Sequence, residues 1–137
     1  MEEKIKHLEF IQNIISRMNS NSFKIKGMSV TITSALLALS ANDFNLLYIS
    51  IVYFSLFVFW GLDAYYLSQE KGYRALYDKV RSKEGKTDFS LKLDPSNIKG
   101  ENSWNKTLLN KTILPLYLIQ GLIALALILF FKYKLSQ

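Results

Sequence analysis

The chain has 137 residues, a formal net charge of +6 and a composition that is 50% hydrophobic and 14% aromatic. It has no cysteine and one histidine, which excludes disulfides, thiolate catalysis and cysteine-based zinc sites. That histidine, His7, lies in a charged N-terminal stretch and is expected to be exposed to solvent. The apolar residues stand in long blocks with the charges between them, a segregation typical of membrane proteins.

Residues 1–21 predict an amphipathic cytoplasmic or interfacial helix. Apolar side chains recur on one side from Leu8 to Met18, but the stripe is too interrupted to span a bilayer. The helix should lie on the membrane surface or pack against another cytoplasmic helix. The polar run 19–22 breaks the pattern and supplies N-cap candidates, so a new helix is expected to begin near Ser22.

Residues 22–67 predict a transmembrane helical hairpin. Its first apolar block, 27–41, is uncharged and rich in Ser and Thr, and its second, 45–67, is strongly aromatic with Asp63 as its only charge. A span needs roughly 20 residues, so the first helix is expected to carry Lys26 into the interfacial zone.

Residues 68–111 predict a cytoplasmic stalk helix followed by a polar insert. Glu70 and Arg74 have the spacing of a helical ion pair, and residues 89–93 alternate like a short strand. Residues 112–131 form an uncharged run of 20 residues, which predicts a third, C-terminal transmembrane helix before the tail 132–137.

These segments together predict an all-α integral membrane protein. Five Lys or Arg precede the first span, ten lie between Leu67 and Thr112, and two follow the last span. The excess of positive charge predicts a multi-pass protein of the bacterial inner membrane with a cytoplasmic N-terminus.

Lys26 and Asp63 are the most informative pair of charges. A hairpin that turns near residues 44 and 45 places residue 26 level with residue 63, and a charge inside a bilayer costs about 2.5–3.5 kcal/mol on insertion scales. Three interpretations stay open: an ion pair that fixes the hairpin register, a gate or ion path, or two charges at headgroup depth with Lys26 snorkelling and Asp63 solvated.

The first span also carries a face of small residues at helical spacing. Such a face allows close approach of two helix backbones, either within the hairpin or at a subunit interface or pore lining of an oligomer. Its members are Gly27, Thr31, Ser34, Ala38 and Ala41.

The sequence predicts no enzyme, cofactor or metal site. Phosphate loops, metalloprotease motifs, nucleophile elbows and clusters of carboxylates within an apolar block are all absent. The basic middle region could attract anionic lipid headgroups or nucleic acid. Positive-inside topology already explains most of that charge, so the lipid bilayer is the expected partner and nucleic acid is not.

Three strings, RMNSNSFKIKG at 17–27, FWGLDAYY at 59–66 and YRALY at 73–77, resemble those of a group of small bacterial membrane proteins. The hairpin followed by a cytoplasmic helix is also similar to SLATT-type transmembrane effectors of anti-phage defence loci. The resemblance covers about residues 10–81 and does not include the third span. It implies an oligomeric effector that perturbs the inner membrane when a partner senses infection, and it transfers no individual site residue.

Three functional hypotheses follow. The first is a homo-oligomeric membrane-perturbing or pore-forming effector of anti-phage defence, triggered by a cytoplasmic protein partner or a small molecule. The second is a non-conducting membrane anchor or scaffold that recruits a soluble partner through residues 68–111. The third, a small channel or transporter subunit, is the weakest, because Gln120 is the only strongly polar residue of the last span.

Overall fold

Helices account for nearly the whole fold. The computed structural model describes residues 2–41, 45–82, 89–93 and 100–135, without the side chain of residue 101, and over this part of the chain no strand is present. In chain order the elements are α1 (Glu2–Ser40), α2 (Leu46–Ser82), a 3₁₀ turn (Gly100–Asn102), α3 (Trp104–Leu108) and α4 (Leu114–Leu135).

α1 and α2 form one long antiparallel pair. At 1.5 Å per residue their 39 and 37 residues reach about 58 and 55 Å, well beyond the roughly 30 Å of a bilayer core. The charged halves of both helices lie at the same end of the pair, and each end has its own apolar core. Leu37, Val52, Leu56 and Tyr117 belong to the core at the uncharged end, and Ile11, Ile15, Leu76 and Val80 form the core at the charged end.

α1 continues without interruption through the polar run 19–22, so the predicted helix break is wrong. Asn and Ser are poor helix formers because they compete for backbone hydrogen bonds. Here two of them bond to α2 instead: Asn19 donates to Glu70 over 3.0 Å, and the Ser22 hydroxyl donates to Asp63. Tertiary contacts thus override the local preference.

The start of α4 is fixed to the middle of α2 by two tryptophans. Trp60 Nε1 donates to the carbonyl oxygen of Leu108 over 3.0 Å, and Trp104 Nε1 donates to that of Gly61 over 3.0 Å. One indole belongs to α2 and the other to α3, and each donates to a backbone carbonyl of the other helix. Two hydrogen bonds therefore hold α3 against α2. This anchoring places the first turns of α4 beside Asp63.

Residues 89–93 pack on the N-terminal half of α1 and do not form the predicted strand. Phe89 has a φ of 53°, outside the extended region that a strand requires. Its ring lies 5.7 Å from that of His7 and 6.1 Å from that of Phe10, measured between centroids. Side-chain packing on α1, rather than strand pairing, therefore holds this segment.

His7 is buried, with 1% of its surface exposed, so the expectation of a solvent-exposed ring is wrong. Its Nε2 lies 2.8 Å from the Ser90 carbonyl oxygen. Residue 7 stands one helical turn before Ile11, which places it on the packed face of α1. The His7 ring therefore packs the first turns of α1 against residues 89–93.

α2 and α4 are each long and apolar enough to cross a membrane. Their most apolar 18-residue windows have mean hydropathies of 1.8 and 2.4, and only 17% of the residues in each window are buried. An apolar core helix of a soluble protein would be mostly buried. The exposed apolar surface of these two helices therefore fits a lipid environment better than water.

Candidate functional site

The centre of the molecule is a buried ion pair between α1 and α2. Lys26 Nζ lies 2.7 Å from Oδ2 and 2.9 Å from Oδ1 of Asp63. The Asp63 side chain is 0% exposed and that of Lys26 is 25% exposed. The carboxylate is therefore inside the protein, and the interpretation in which Asp63 is solvated does not fit this burial.

Two hydroxyl groups complete the site. The Ser22 hydroxyl donates to Asp63 Oδ1 and accepts a hydrogen bond of 2.8 Å from Lys26 Nζ. From α4, the Tyr117 hydroxyl donates to Asp63 Oδ2 over 3.0 Å. The Asp63 carboxylate of α2 thus accepts hydrogen bonds from α1 and from α4. It connects the three long helices at one level.

The arrangement follows from helix geometry. Ser22 and Lys26 are separated by one turn of α1 and therefore point to the same side. Tyr117 lies in the first turn of α4, beside the anchored α3. A buried charge is tolerated only when its partners are close and its remaining lone pairs are bonded. The site meets both conditions, because Lys26 Nζ lies within 2.9 Å of both carboxylate oxygens and the two hydroxyl groups donate to them.

A second polar level lies between α1 and α4. Ser29 is completely buried, donates to the carbonyl oxygen of Lys26 over 2.8 Å and accepts from Gln120 Nε2 over 3.0 Å. Within the described part of the chain, Thr33 Oγ1 and Gln120 Oε1 are buried without a hydrogen-bond partner. Unsatisfied buried groups cost about 1–3 kcal/mol each, so these two atoms reduce the stability that this polar level contributes.

The predicted small-residue face does not take part in packing within the chain. All five of its members are exposed, and a Cβ atom added to Gly27 would meet nothing within 4 Å. α1 instead buries the face with Ser22, Ser29, Thr33, Leu37 and Ser40. The interpretation as intrachain packing is therefore wrong.

The sequence analysis missed three residues of the site. Ser22 could have been found from its position one turn before Lys26. Tyr117 carries no comparable signal, because how α4 docks is not encoded in any local pattern. Gln120 is marked only by being the one strongly polar side chain of its apolar run, which does not identify Ser29 as its partner. Among the described residues, no group of three or more His, Cys, Asp or Glu could hold a metal ion.

Comparison with known proteins gives no relative: no family model, curated protein or solved structure matches the chain.

Proposed function

We propose that this chain is a three-span protein of the bacterial inner membrane, with the second half of α1, the first half of α2 and α4 as spans. The exposed apolar surfaces of α2 and α4 support this placement. In the proposed topology the charged ends of α1 and α2 form a stalk in the cytoplasm, where the excess of Lys and Arg favours them. α1 reaches the bilayer beside α2, with Lys26 neutralised by Asp63.

We further propose that the chain acts as a homo-oligomeric, pore-forming effector whose subunits meet through the small-residue face of α1. The observation that carries this proposal is a difference in side-chain size between the exposed surfaces of the helices. On α2 and α4 the exposed surface holds large apolar side chains such as Phe54, Phe57, Ile119 and Leu125, as lipid contact requires. The face of α1 holds Gly, Ala, Ser and Thr, which suit close helix contact or a hydrated lining.

The polar groups of that face are compatible with a membrane interface. The Thr31 hydroxyl donates to the carbonyl oxygen of Gly27 over 2.9 Å, so it needs no partner outside its own helix. A ring in which the α1 helices of neighbouring subunits meet through this face around the centre would leave α2 and α4 toward lipid. We also propose a role in anti-phage defence, with the stalk receiving the trigger, as the resemblance of residues 10–81 to SLATT-type effectors would imply.

Cysteine cross-linking tests the subunit contact, because the chain has no cysteine of its own. Ser34→Cys places a thiol on the small-residue face. Leu125→Cys places a thiol on α4 at a matched distance from the Asp63 site, since residue 125 lies eight residues beyond Tyr117 and residue 34 lies eight residues beyond Lys26. We expect oxidised dimers in membranes from Ser34→Cys and few from Leu125→Cys. Equal cross-linking of both variants would contradict a subunit contact on α1.

The conducting role is tested by membrane potential as the chain is induced in bacterial cells. We expect depolarisation that is lost in a Thr31→Leu/Ser34→Leu variant and retained in Leu125→Ala at equal membrane levels. If Ser34→Cys cross-links while the potential stays unchanged with and without phage infection, the oligomer stands and the pore is rejected.

A scaffold is the second candidate, and the surface at the charged end favours it. Ile5 and Phe10 on α1 and the neighbouring Phe89 are exposed by 54%, 44% and 39%, within a shallow depression that Glu2, Glu3 and Glu9 also line. Lys6 lines the depression as well, so the rim holds three acidic residues and one basic residue. Such a patch suits a soluble partner that presents apolar and basic side chains. Phe10→Asp should abolish co-purification of that partner and leave membrane insertion intact.

A further inference from the structure

An apolar groove lies between α2 and α4. Its volume is about 200 Å³, and its walls include Leu56, Phe57 and Trp60 of α2 and Leu118, Gly121 and Leu122 of α4. In the proposed topology the groove lies within the hydrocarbon layer. Phe57, Leu118 and Leu122 of its walls are exposed, so acyl chains would surround that part of the groove.

The polar groups that border the groove are already engaged. The Tyr117 hydroxyl is bonded to Asp63, and the Tyr53 hydroxyl donates to the carbonyl oxygen of Gly121 over 3.3 Å. The absence of a side chain at Gly121 keeps the groove open, since a Cβ there would meet nothing within 4 Å. An occupant therefore finds an apolar wall and no free hydrogen-bonding side chain.

Two lysines stand close in sequence to residues at the end of the groove nearest α3. Trp60, which lines the groove, donates to the carbonyl oxygen of Leu108, two residues after Lys106. Lys111 stands three residues before Leu114, another residue of the groove wall. Both lysines are exposed, and they are the only charged residues in the stretch 102–131 of the sequence.

We propose that this groove binds one acyl chain of an anionic phospholipid whose phosphate is held by Lys106 and Lys111. Basic side chains at the cytoplasmic end of a cleft between membrane helices suit an anionic headgroup, and the apolar wall suits the chain below it. The proposal rests on the membrane placement proposed above, but it does not depend on pore formation.

The chain has two tryptophans, so Trp104→Phe leaves Trp60 as the reporter of the groove. Because this substitution also removes the Trp104 bond to Gly61, its thermal midpoint is first matched to that of the parent chain. The protein with this substitution is reconstituted in phosphatidylcholine vesicles that contain an equal fraction of acyl-brominated phosphatidylglycerol or acyl-brominated phosphatidylcholine. Bromine quenches tryptophan only at close range. We expect at least twofold stronger quenching of Trp60 by the phosphatidylglycerol. Equal quenching by both lipids would overturn the proposal.

Two further variants assign the preference to the groove. Lys106→Gln/Lys111→Gln should reduce quenching by brominated phosphatidylglycerol to the phosphatidylcholine level, whereas Lys132→Gln/Lys134→Gln at the other end of α4 should leave the preference unchanged. Gly121→Leu should lower quenching by both lipids, because its side chain fills the groove. A preference that survives loss of Lys106 and Lys111 would reject the headgroup site.

The same measurement separates failure of this site from failure of the membrane placement. If neither brominated lipid quenches Trp60 while circular dichroism shows the helices intact, the segment does not lie in the bilayer and both proposals fall. Equal, strong quenching keeps the placement and rejects the lipid site alone.

Discussion

The Tyr117 hydroxyl donates to the Asp63 carboxylate over 3.0 Å, although the two residues are 54 positions apart in the chain. This bond connects α4 to an ion pair that α1 and α2 have already formed. The packing of α4 therefore depends on the ion pair of the hairpin.

Tyr117→Phe should loosen α4 while leaving the α1–α2 pair formed. The substitution keeps the ring and removes one hydrogen bond to a charged group, a loss of about 1.5–3 kcal/mol. We expect a lower thermal midpoint in detergent and faster proteolysis of residues 100–135. Tyr65→Phe is the matched control, since the Tyr65 ring is 51% exposed. If both variants have the same thermal midpoint as the parent chain, the bond to Asp63 contributes nothing to stability.

Asp63→Asn and Lys26→Gln should be strongly non-additive. Breaking a fully buried pair costs about 3–5 kcal/mol, and we expect about 2 kcal/mol for either single change because the Lys26 side chain is 25% exposed. The double variant should cost less than the sum of the two, since it leaves no unpaired charge. Denaturation of all four proteins in detergent gives the coupling energy, and simple additivity would exclude a stabilising pair.

Ser22→Ala should destabilise the protein even though alanine favours helix formation. The gain in helix propensity is about 0.5 kcal/mol, and it is smaller than the loss of a hydrogen bond to the Asp63 carboxylate, about 1.5–3 kcal/mol. Ser20→Ala is the control, because Ser20 is exposed on the same helix and should become slightly more stable. Comparison of the two thermal midpoints checks the sign, and a rise in both would place Ser22 outside the site.

His7→Ala should release residues 89–93 from α1. The variant loses the hydrogen bond to the Ser90 carbonyl oxygen and the ring contact with Phe89, a loss of about 1 kcal/mol or more. Amide hydrogen exchange in residues 89–93 should become faster, with little change in α4. Gln12→Ala, at an exposed position of the same helix, serves as the comparison. Unchanged exchange in His7→Ala would show that other contacts hold the segment.

The sequence contains the information for the Lys26–Asp63 contact because an antiparallel hairpin with a short turn fixes which residues are level. It does not reveal how α1 is oriented about its own axis. Ser, Thr, Gly and Ala occur on several faces of that helix, so spacing alone cannot distinguish the buried Ser29 and Thr33 from the exposed Ser34. Composition likewise suggested exposure for His7, where one turn of helix places it beside Ile11.

The continuity of α1 through residues 19–22 was not predictable from local preferences. Asn19 and Ser22 stay helical because Glu70 and Asp63, more than 40 positions away, accept their hydrogen bonds. The same reason explains why Tyr117 was missed: its partner belongs to another helix, and nothing around residue 117 records that contact. Long-range polar contacts are therefore the part of this fold that a single sequence conceals.

The shared carboxylate also constrains how the chain is made. In the proposed topology α1 leaves the ribosome first, with Lys26 and several hydroxyl groups and without enough apolar surface to remain in lipid alone. Asp63, which neutralises Lys26, emerges with α2. We therefore expect the two helices to enter the bilayer as a pair, held at the insertion machinery until residue 63 has been synthesised. α4 is apolar enough to enter the bilayer on its own. It then packs on α1 and α2 when the Tyr117 hydroxyl bonds to the Asp63 carboxylate.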